Sequence, residues 1–324
     1  MELWLILTLV ASVVASVSAF FDNYIIDDFF KERMPQALKC FYGPINLVTA
    51  LTAIIIYFSL FTVEPIPMEN ILLLILSGII SAAANVPYYM ALGVENTTGA
   101  IIFSQLYPVF YLLLGALFLN EAITSVQFIA FLLLLLAPMV IIFSTRRRGK
   151  KMEYRAGLLF LIGVIMSSFA NILFVFAERG AISSTGNTFP IILAVALLFL
   201  GKGIFDVFAV ATKKNWRVRA KNVMKASRNR VLVPIIVNSL IWLVVEYCIR
   251  RATVIGQVAI VSAVDKAVEL LATFVLGLIF TILWPRFGRE KLDRRTVMAH
   301  LIATVLAMAG IILVENPDIF SGIW

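Results

Sequence analysis

Three ionisable residues lie within five positions of one another in the apolar stretch IVSAVDKAVELLATFVLG, residues 260–277. They are Asp265, Lys266 and Glu269. Ser262, Asp265 and Glu269 are three and four positions apart, so a helix presents them on one face, with Lys266 about 100° from Asp265. A charge at the centre of a bilayer costs at least about 2.5 kcal/mol, and such residues normally face a bundle interior or a water-filled cavity. We therefore expect these four side chains to line a substrate-binding site between helices.

A second charged pair, Lys202 and Asp206, lies four positions apart in FLGKGIFDVF. Together the two groups hold three acids and two bases, and the surplus negative charge favours a cation or a proton as ligand. The alternative is a network that only joins helices, with Lys266 paired to Glu269 and Lys202 paired to Asp206 or Asp265. Buried ion pairs add little net stability once desolvation is counted, so we favour a functional role.

The first half of the chain offers mainly neutral polar groups in its apolar segments. Gln105, Tyr107 and Tyr111 are expected to line a cavity opposite Asp265. No metal or cofactor site is expected, because the two cysteines, far apart in sequence, have no CxxC spacing and no histidine-rich partner.

The composition is that of a membrane protein. Of 324 residues, 61% are hydrophobic and 14% are charged, whereas soluble domains have roughly 45–50% and about 25%. Apolar runs of about twenty residues are long enough to cross a bilayer as helices. Ten candidate spans are predicted: Leu3 to Ile25, Ala37 to Val63, Asn70 to Leu92, Gly99 to Leu119, Val126 to Phe143, Gly157 to Ala177, Phe189 to Ala211, Val231 to Ile249, Gln257 to Leu283, and Thr296 to Val314.

Basic residues predict the orientation, since Lys and Arg in short loops are retained in the cytoplasm. The odd-numbered loops carry 22 of the 27 basic residues, which places these loops in the cytoplasm, both termini outside, and the chain in the plasma (inner) membrane. This count includes Lys39 in the first loop and assigns Arg250 to an even loop. We expect the basic loops to contact anionic lipid headgroups and not nucleic acid.

An internal repeat appears when YMALGVENTTGAIIFSQLYP is aligned with YCIRRATVIGQVAIVSAVDK. The alignment places Tyr107 opposite Asp265 and Tyr111 opposite Glu269. Each segment joins the end of a third helix to the middle of a fourth in a set of five, and an odd number inverts the second set. The expected fold is thus an all-α polytopic membrane protein with ten transmembrane helices in two inverted five-helix repeats, residues 1–145 and 157–324, joined by a basic cytoplasmic linker at 146–156.

The segment ALGVENTTGAIIFSQLYPVFYLLLGALFLNEAIT, Ala91 to Thr124, resembles the EamA-like part of the drug/metabolite transporter superfamily. The resemblance lies in a short glycine-bearing turn after a helix, Pro108 in the next helix, and Glu121 thirteen residues later. AMAGIILVE, Ala307 to Glu315, looks like the closing helix of the second repeat. The resemblance implies ten helices in two repeats and secondary transport of small metabolites or drugs, with Glu121 fixing a loop.

The chain departs from that superfamily in two places. Lys266 stands where the repeat would have a second fourth-helix proline. Family members also have cytoplasmic termini, whereas the charge count here predicts the opposite.

The leading functional hypothesis is alternating-access transport of a small polar metabolite such as an amino acid or another zwitterion, with export favoured on the resemblance alone. Asp265 or Glu269 would bind its positive group, and Lys266 or Lys202 its negative group. Proton coupling through Asp265 or Glu269 is a further hypothesis, since low dielectric and a neighbouring like charge favour the protonated carboxylate.

Two other function classes stay open. One is an exporter of lipophilic cations or drugs, in which aromatic rings hold the cation and the lysines only balance excess acid. The other is a lipid-handling or sensory membrane protein. An enzyme is not expected, because the chain has no HExxH, GxSxG or Walker motif and no loop long enough to form a soluble site.

Overall fold

The computed structural model describes residues 2–25, 35–61, 67–92, 104, 106–145, 154–185, 190–283 and 294–315. All regular structure in these ranges is helical, which confirms the all-α class. A short 3-10 helix, Pro35–Leu38, precedes α2. The α-helices are α1 (Leu3–Ile25), α2 (Lys39–Leu60), α3 (Met68–Leu92), α4 (Tyr107–Phe118), α5 (Ser125–Thr145), α6 (Tyr154–Thr185), α7 (Ile191–Thr212), α8 (Lys214–Ile255), α9 (Val258–Leu283) and α10 (Arg294–Glu315).

Several of these helices have the length and composition of membrane spans. Six meet both conditions: Leu3–Asp22, Gln36–Leu60, Met68–Met90, Gly157–Gly180, Ile191–Thr212 and Arg230–Ile255. Three further apolar stretches are shorter: Tyr107–Phe118, Ser125–Ala137 and Leu301–Val314. Helix α9 has 26 residues but carries the three charged residues of the opening stretch. The architecture is compatible with a multi-pass membrane protein, while ten spans in inverted repeats stay a prediction.

The surface is also typical of a lipid-facing protein. Large apolar side chains are widely exposed, for example Leu117 at 74% and Leu60 at 70%, whereas soluble proteins rarely expose large contiguous apolar patches. Hydroxyl groups lie inside, among them Thr8, Ser12 and Ser77, all with no exposed surface. This distribution places polar contacts between helices and leaves hydrocarbon on the outside.

Helix α8 is much longer than the predicted span of Val231 to Ile249, since it has 42 residues and begins at Lys214. No glycine or proline interrupts residues 214–233, and Lys, Arg, Ala and Met favour helix. Its length of about 63 Å is roughly twice a hydrocarbon core. Trp216 and Ala220 pack this extension against an apolar cluster that includes the end of α1 and the 3-10 helix.

Most of the major helix contacts join the two halves of the chain. Helix α3 packs against α6 and α7, α2 against α7, α1 against α8 and α9, α4 against α9, and α5 against α10. The approach of α3 to α7 is close because glycines face backbone. A Cβ on Gly78 would lie 2.1 Å from the Leu198 oxygen, and one on Gly201 would lie 2.0 Å from the Ile75 oxygen. Helix α7 and its Lys202 are thereby held deep in the bundle.

Candidate functional site

The three charged residues of α9 form one cluster. Lys266 Nζ lies 3.0 Å from Asp265 Oδ2 and 2.5 Å from Glu269 Oε2. The side chains retain part of their accessible surface: 19% for Lys266, 12% for Asp265 and 28% for Glu269. One lysine between two carboxylates leaves a formal charge of −1, with Glu269 as the most accessible member.

Helix α1 of the first half supplies the polar contacts that hold this cluster. Ser12 Oγ donates to Asp265 Oδ1 at 2.9 Å, and Ser16 Oγ donates to the Glu269 backbone oxygen at 2.9 Å. Ser12 was not among the site residues predicted from the sequence, although Thr8, Ser12 and Ser16 recur every four residues on one helix face. The cluster therefore lies where the two halves of the chain meet.

Aromatic residues of α4 face the same cluster. Lys266 Nζ lies 5.7 Å from the centre of the Tyr107 ring, and the rings of Tyr107 and Tyr111 are 6.0 Å apart. Tyr107 also hydrogen-bonds with Ser167 of α6. The structure thus brings both predicted tyrosines next to the α9 charges.

Tyr88 of α3 belongs to the surroundings of the same cluster. It is within electrostatic reach of Asp22 on α1, Tyr107 on α4, and Lys266 and Glu269 on α9, and 37% of it is exposed. The candidate site is therefore the region where Tyr88, Tyr107 and Tyr111 approach the acidic α9 cluster.

Lys202 and Asp206 are placed elsewhere than expected. Lys202 forms an ion pair with Glu246 of α8 rather than with Asp206 or Asp265. Glu246 Oε2 also accepts from Arg250 Nε at 2.8 Å, and Arg250 hydrogen-bonds with Asn171 of α6. The reason is that α7 packs against α8 as well as against α2 and α3. Lys202 and Asp206 therefore each pair with a residue of a different neighbouring helix and not with each other.

Asp206 is paired with Lys39 of α2 at 2.5 Å, and Lys39 also donates to the Ala82 backbone oxygen at 2.8 Å. Lys39 and Arg250 were counted as loop residues in the prediction of orientation, but both are buried helix residues, with 1% and 7% exposure. The signal that identifies Arg250 is its spacing of four from Glu246, an acid inside a predicted span.

The buried network around α7 has a formal surplus of one positive charge. It contains three bases and two acids: Lys39, Lys202, Arg250, Asp206 and Glu246. Tyr111 lies within electrostatic reach of Arg250 in this network and of Asp265 and Lys266 in the α9 cluster. The candidate site is thus acidic at α9, and the positive network approaches it near Tyr111.

Two other predicted site residues have different positions. Ser262 is 3% exposed, and its hydroxyl has no hydrogen-bond partner among the described residues. Gln105 lies outside the described residues. In the same described ranges, no group of three or more His, Cys, Asp or Glu side chains is arranged to hold a metal ion.

A clamp at the N-terminal end of α9 joins four segments of the chain. Glu121 Oε1 binds Arg179 Nη1 of α6 at 2.8 Å, and Glu121 Oε2 accepts from the Val258 backbone N–H at 3.0 Å, which caps α9. Arg179 donates in turn to the backbone oxygens of Val254 and Gly256. Glu269 lies eleven residues farther along α9, about 16 Å from this end.

Comparison with known proteins shows the fold alone. No family model matches the chain, and no curated protein matches it. Among the solved structures, one described only as "Crystal structure of protein" has a TM-score of 0.58 over 94% of this chain and 96% of that chain, at 13% identity. The similarity extends over nearly the full length of both chains, so the helical arrangement is one already known.

Proposed function

We propose that this chain is a secondary active transporter that moves a small polar metabolite, with an amino acid or another zwitterion as the substrate class. The observation that carries the proposal is the Lys266 cluster: two acids and a base on α9, held by Ser12 of α1 and facing Tyr107 of α4. Charges inside a bundle that retain accessible surface are typical of substrate and ion pathways.

The helix contacts support two five-helix repeats. A two-repeat fold pairs α1 with α6, α2 with α7, and so on to α5 with α10, and each contact should then have a counterpart between the paired helices. The counterpart of the α3–α6 contact is α8–α1, and that of α1–α9 is α6–α4; both counterparts occur. The pairs α2–α7, α4–α9 and α5–α10 map onto themselves and also occur. This exchange pattern is expected of the inverted repeats of secondary transporters, and it agrees with the resemblance to the EamA-like transporters.

In this proposal the amine of the substrate binds Glu269, the most accessible acid of the cluster, and its carboxylate binds Lys266. Lys202 has no direct part, because it is buried against Glu246. Alternating access requires one end of the site to open at a time, and the Glu121–Arg179 clamp is the gate at the end where α9 begins. On the predicted orientation this end is extracellular and the odd-numbered loops are cytoplasmic.

A second candidate is an exporter of organic cations. It is favoured by the position of the Lys266 ammonium, 5.7 Å from the Tyr107 ring, since an organic cation can take that place against an aromatic face. The acidic surplus of the cluster supports the same substrate charge.

The first experiment measures the melting temperature of the purified protein with amino acids, nucleosides, sugars and quaternary ammonium compounds, since a ligand that binds the native state raises it. Hits are then tested for uptake into proteoliposomes with the wild type, Asp265→Asn and Glu269→Gln. We expect a zwitterion to shift the wild type and to lose its shift and its flux in Glu269→Gln. A ligand that keeps its melting-temperature shift and its flux in both variants would show that the α9 charges only join helices.

A further inference from the structure

A separate pocket of about 540 Å³ lies between the C-terminal ends of α3 and α7, within the roughly 300–1,000 Å³ range of ligand sites. Its walls are apolar: Val86 and Met90 come from α3, and Phe205, Phe208 and Ala209 from α7. It is separate from the candidate site at the α9 cluster, because none of its lining residues belongs to that cluster.

One edge of the pocket is polar and basic. Lys213 and Trp216, at the start of α8, and Gln36 of the 3-10 helix line this edge. Lys213 begins a segment, residues 213–230, that holds eight basic residues and no acid. Trp and basic side chains together are typical of the boundary between hydrocarbon and headgroups, so the pocket has an apolar interior below a positively charged rim.

We propose that this pocket binds one acyl chain of an anionic phospholipid, with its phosphate held by Lys213 and the adjacent basic residues of α8. The apolar walls match the chain, and the cationic rim matches the headgroup; each basic residue near a membrane surface contributes about 1 kcal/mol of attraction to anionic lipid. A zwitterionic lipid has the same chains but no net charge for the rim to attract.

The site is linked to the charged core through Phe205. The Phe205 ring lines the pocket, and its centre lies 5.5 Å from Lys39 Nζ, which binds Asp206. An acyl chain packed on Phe205 would therefore support the buried ion pair between α2 and α7. The inference requires a membrane environment but not transport, so it stands apart from the proposed function.

The test measures the melting temperature of the full chain in neutral detergent with phosphatidylglycerol, with phosphatidylcholine of identical acyl chains, and with glycerol phosphate alone. Variants are Ala209→Phe, which fills the pocket, and Lys213→Gln, which removes its rim charge. Matched controls on the same segment are Ala211→Phe and Lys221→Gln, which are exposed and do not line the pocket.

We expect phosphatidylglycerol to raise the wild-type melting temperature by a few degrees in a saturable way, and the other two additives to raise it far less. Ala209→Phe should abolish the shift and Lys213→Gln should reduce it, while both controls keep it. Equal shifts with phosphatidylcholine would mean nonspecific solvation, and an equal shift with glycerol phosphate would mean a phosphate site without an acyl chain. Either result overturns the proposal, as does a full shift in Ala209→Phe.

Quenching of Trp216 fluorescence gives a second readout that needs no pocket variant to fold. Phosphatidylglycerol with brominated acyl chains should quench the wild type more than Trp216→Phe, because Trp216 lines the pocket. The excess should disappear when unbrominated phosphatidylglycerol competes, but not when phosphatidylcholine does. Equal quenching in both proteins contradicts binding of an acyl chain at this position.

Discussion

Lys39 and Asp206 form an ion pair of 2.5 Å between α2 and α7, with only 2% and 5% of their side chains exposed. Both charges are removed from solvent, so each depends on the other and, for Lys39, on the Ala82 oxygen. A buried pair of this kind contributes little net stability compared with apolar residues, but loss of one partner leaves an uncompensated charge.

Asp206→Asn is therefore expected to lower the free energy of unfolding by about 3–5 kcal/mol, because Lys39 is left without a carboxylate. The double substitution Lys39→Met with Asp206→Leu should recover most of that loss, since neither position then carries a charge. Thermal unfolding in detergent, with size-exclusion profiles as a check on folding, measures both. A double variant no more stable than Asp206→Asn would contradict this account of the pair.

Glu121→Gln should destabilise the chain by about 1–2 kcal/mol, because it removes the Arg179 ion pair and weakens the cap of α9. Glu178→Gln is the matched control. Glu178 has no exposed surface, and neither of its carboxyl oxygens has a hydrogen-bond partner in the described ranges, so replacing its carboxyl group with an amide removes no hydrogen bond and should leave stability nearly unchanged. Equal losses in the two variants would show that the clamp geometry is not the cause.

The helical class was predictable because apolar runs of about twenty residues are a strong signal by themselves. The N-terminal extension of α8 was not, since a hydropathy pattern separates apolar from basic residues but does not detect that the backbone stays helical through residues 214–230. The absence of glycine and proline from this segment indicated a helix, but its many basic residues favoured the prediction of a loop.

The candidate site was predictable only in the part that lies on α9. The spacing of Asp265 and Glu269 fixes their common face, because helical periodicity is a local property. The partners of Lys202 and Asp206 depend instead on which helices pack around α7, and Glu246 is 44 positions away from Lys202. Ion pairs between residues so far apart in sequence depend on the tertiary structure, which the spacing of residues in one sequence does not reveal.

Ser12→Ala should weaken substrate binding about fivefold, because it removes the hydrogen bond that orients Asp265 Oδ1, a contact worth about 1 kcal/mol. Ser59→Ala is the matched control, since the Ser59 hydroxyl donates only to its own helix at the Ile55 oxygen and is exposed. Ligand titration by melting temperature compares the two. Equal substrate affinities in Ser12→Ala and Ser59→Ala would show that Ser12 does not contribute to substrate binding.

Gly201→Ala should destabilise the bundle by about 1–3 kcal/mol, because its Cβ would meet the Ile75 backbone oxygen at 2.0 Å and separate α3 from α7. At Gly180 the nearest atom to an added Cβ is 4.0 Å away, so Gly180→Ala should be neutral or stabilising through helix propensity. Denaturant or thermal unfolding measures the difference. Similar effects at the two positions would be inconsistent with the close approach of α3 to α7.

Lys266→Ala separates the two substrate classes. In a zwitterion transporter it removes the group that binds the carboxylate, so flux should fall at least tenfold, and Lys266→Arg should restore part of it. In a cation exporter it removes a competing positive charge from the Tyr107 ring, so cation flux should be kept or rise. Flux of both ligand classes into proteoliposomes decides between them, with Lys225→Ala as the exposed control.

The same assay tests proton coupling. If Glu269 both binds the substrate amine and exchanges a proton during transport, a pH gradient should drive accumulation of substrate in the wild type, and Glu269→Gln should lose this accumulation together with substrate binding. The reason is that an uncharged amide neither attracts the amine nor has a proton to release in this pH range. Wild-type flux that is independent of the gradient would assign Glu269 to substrate binding or to helix packing only.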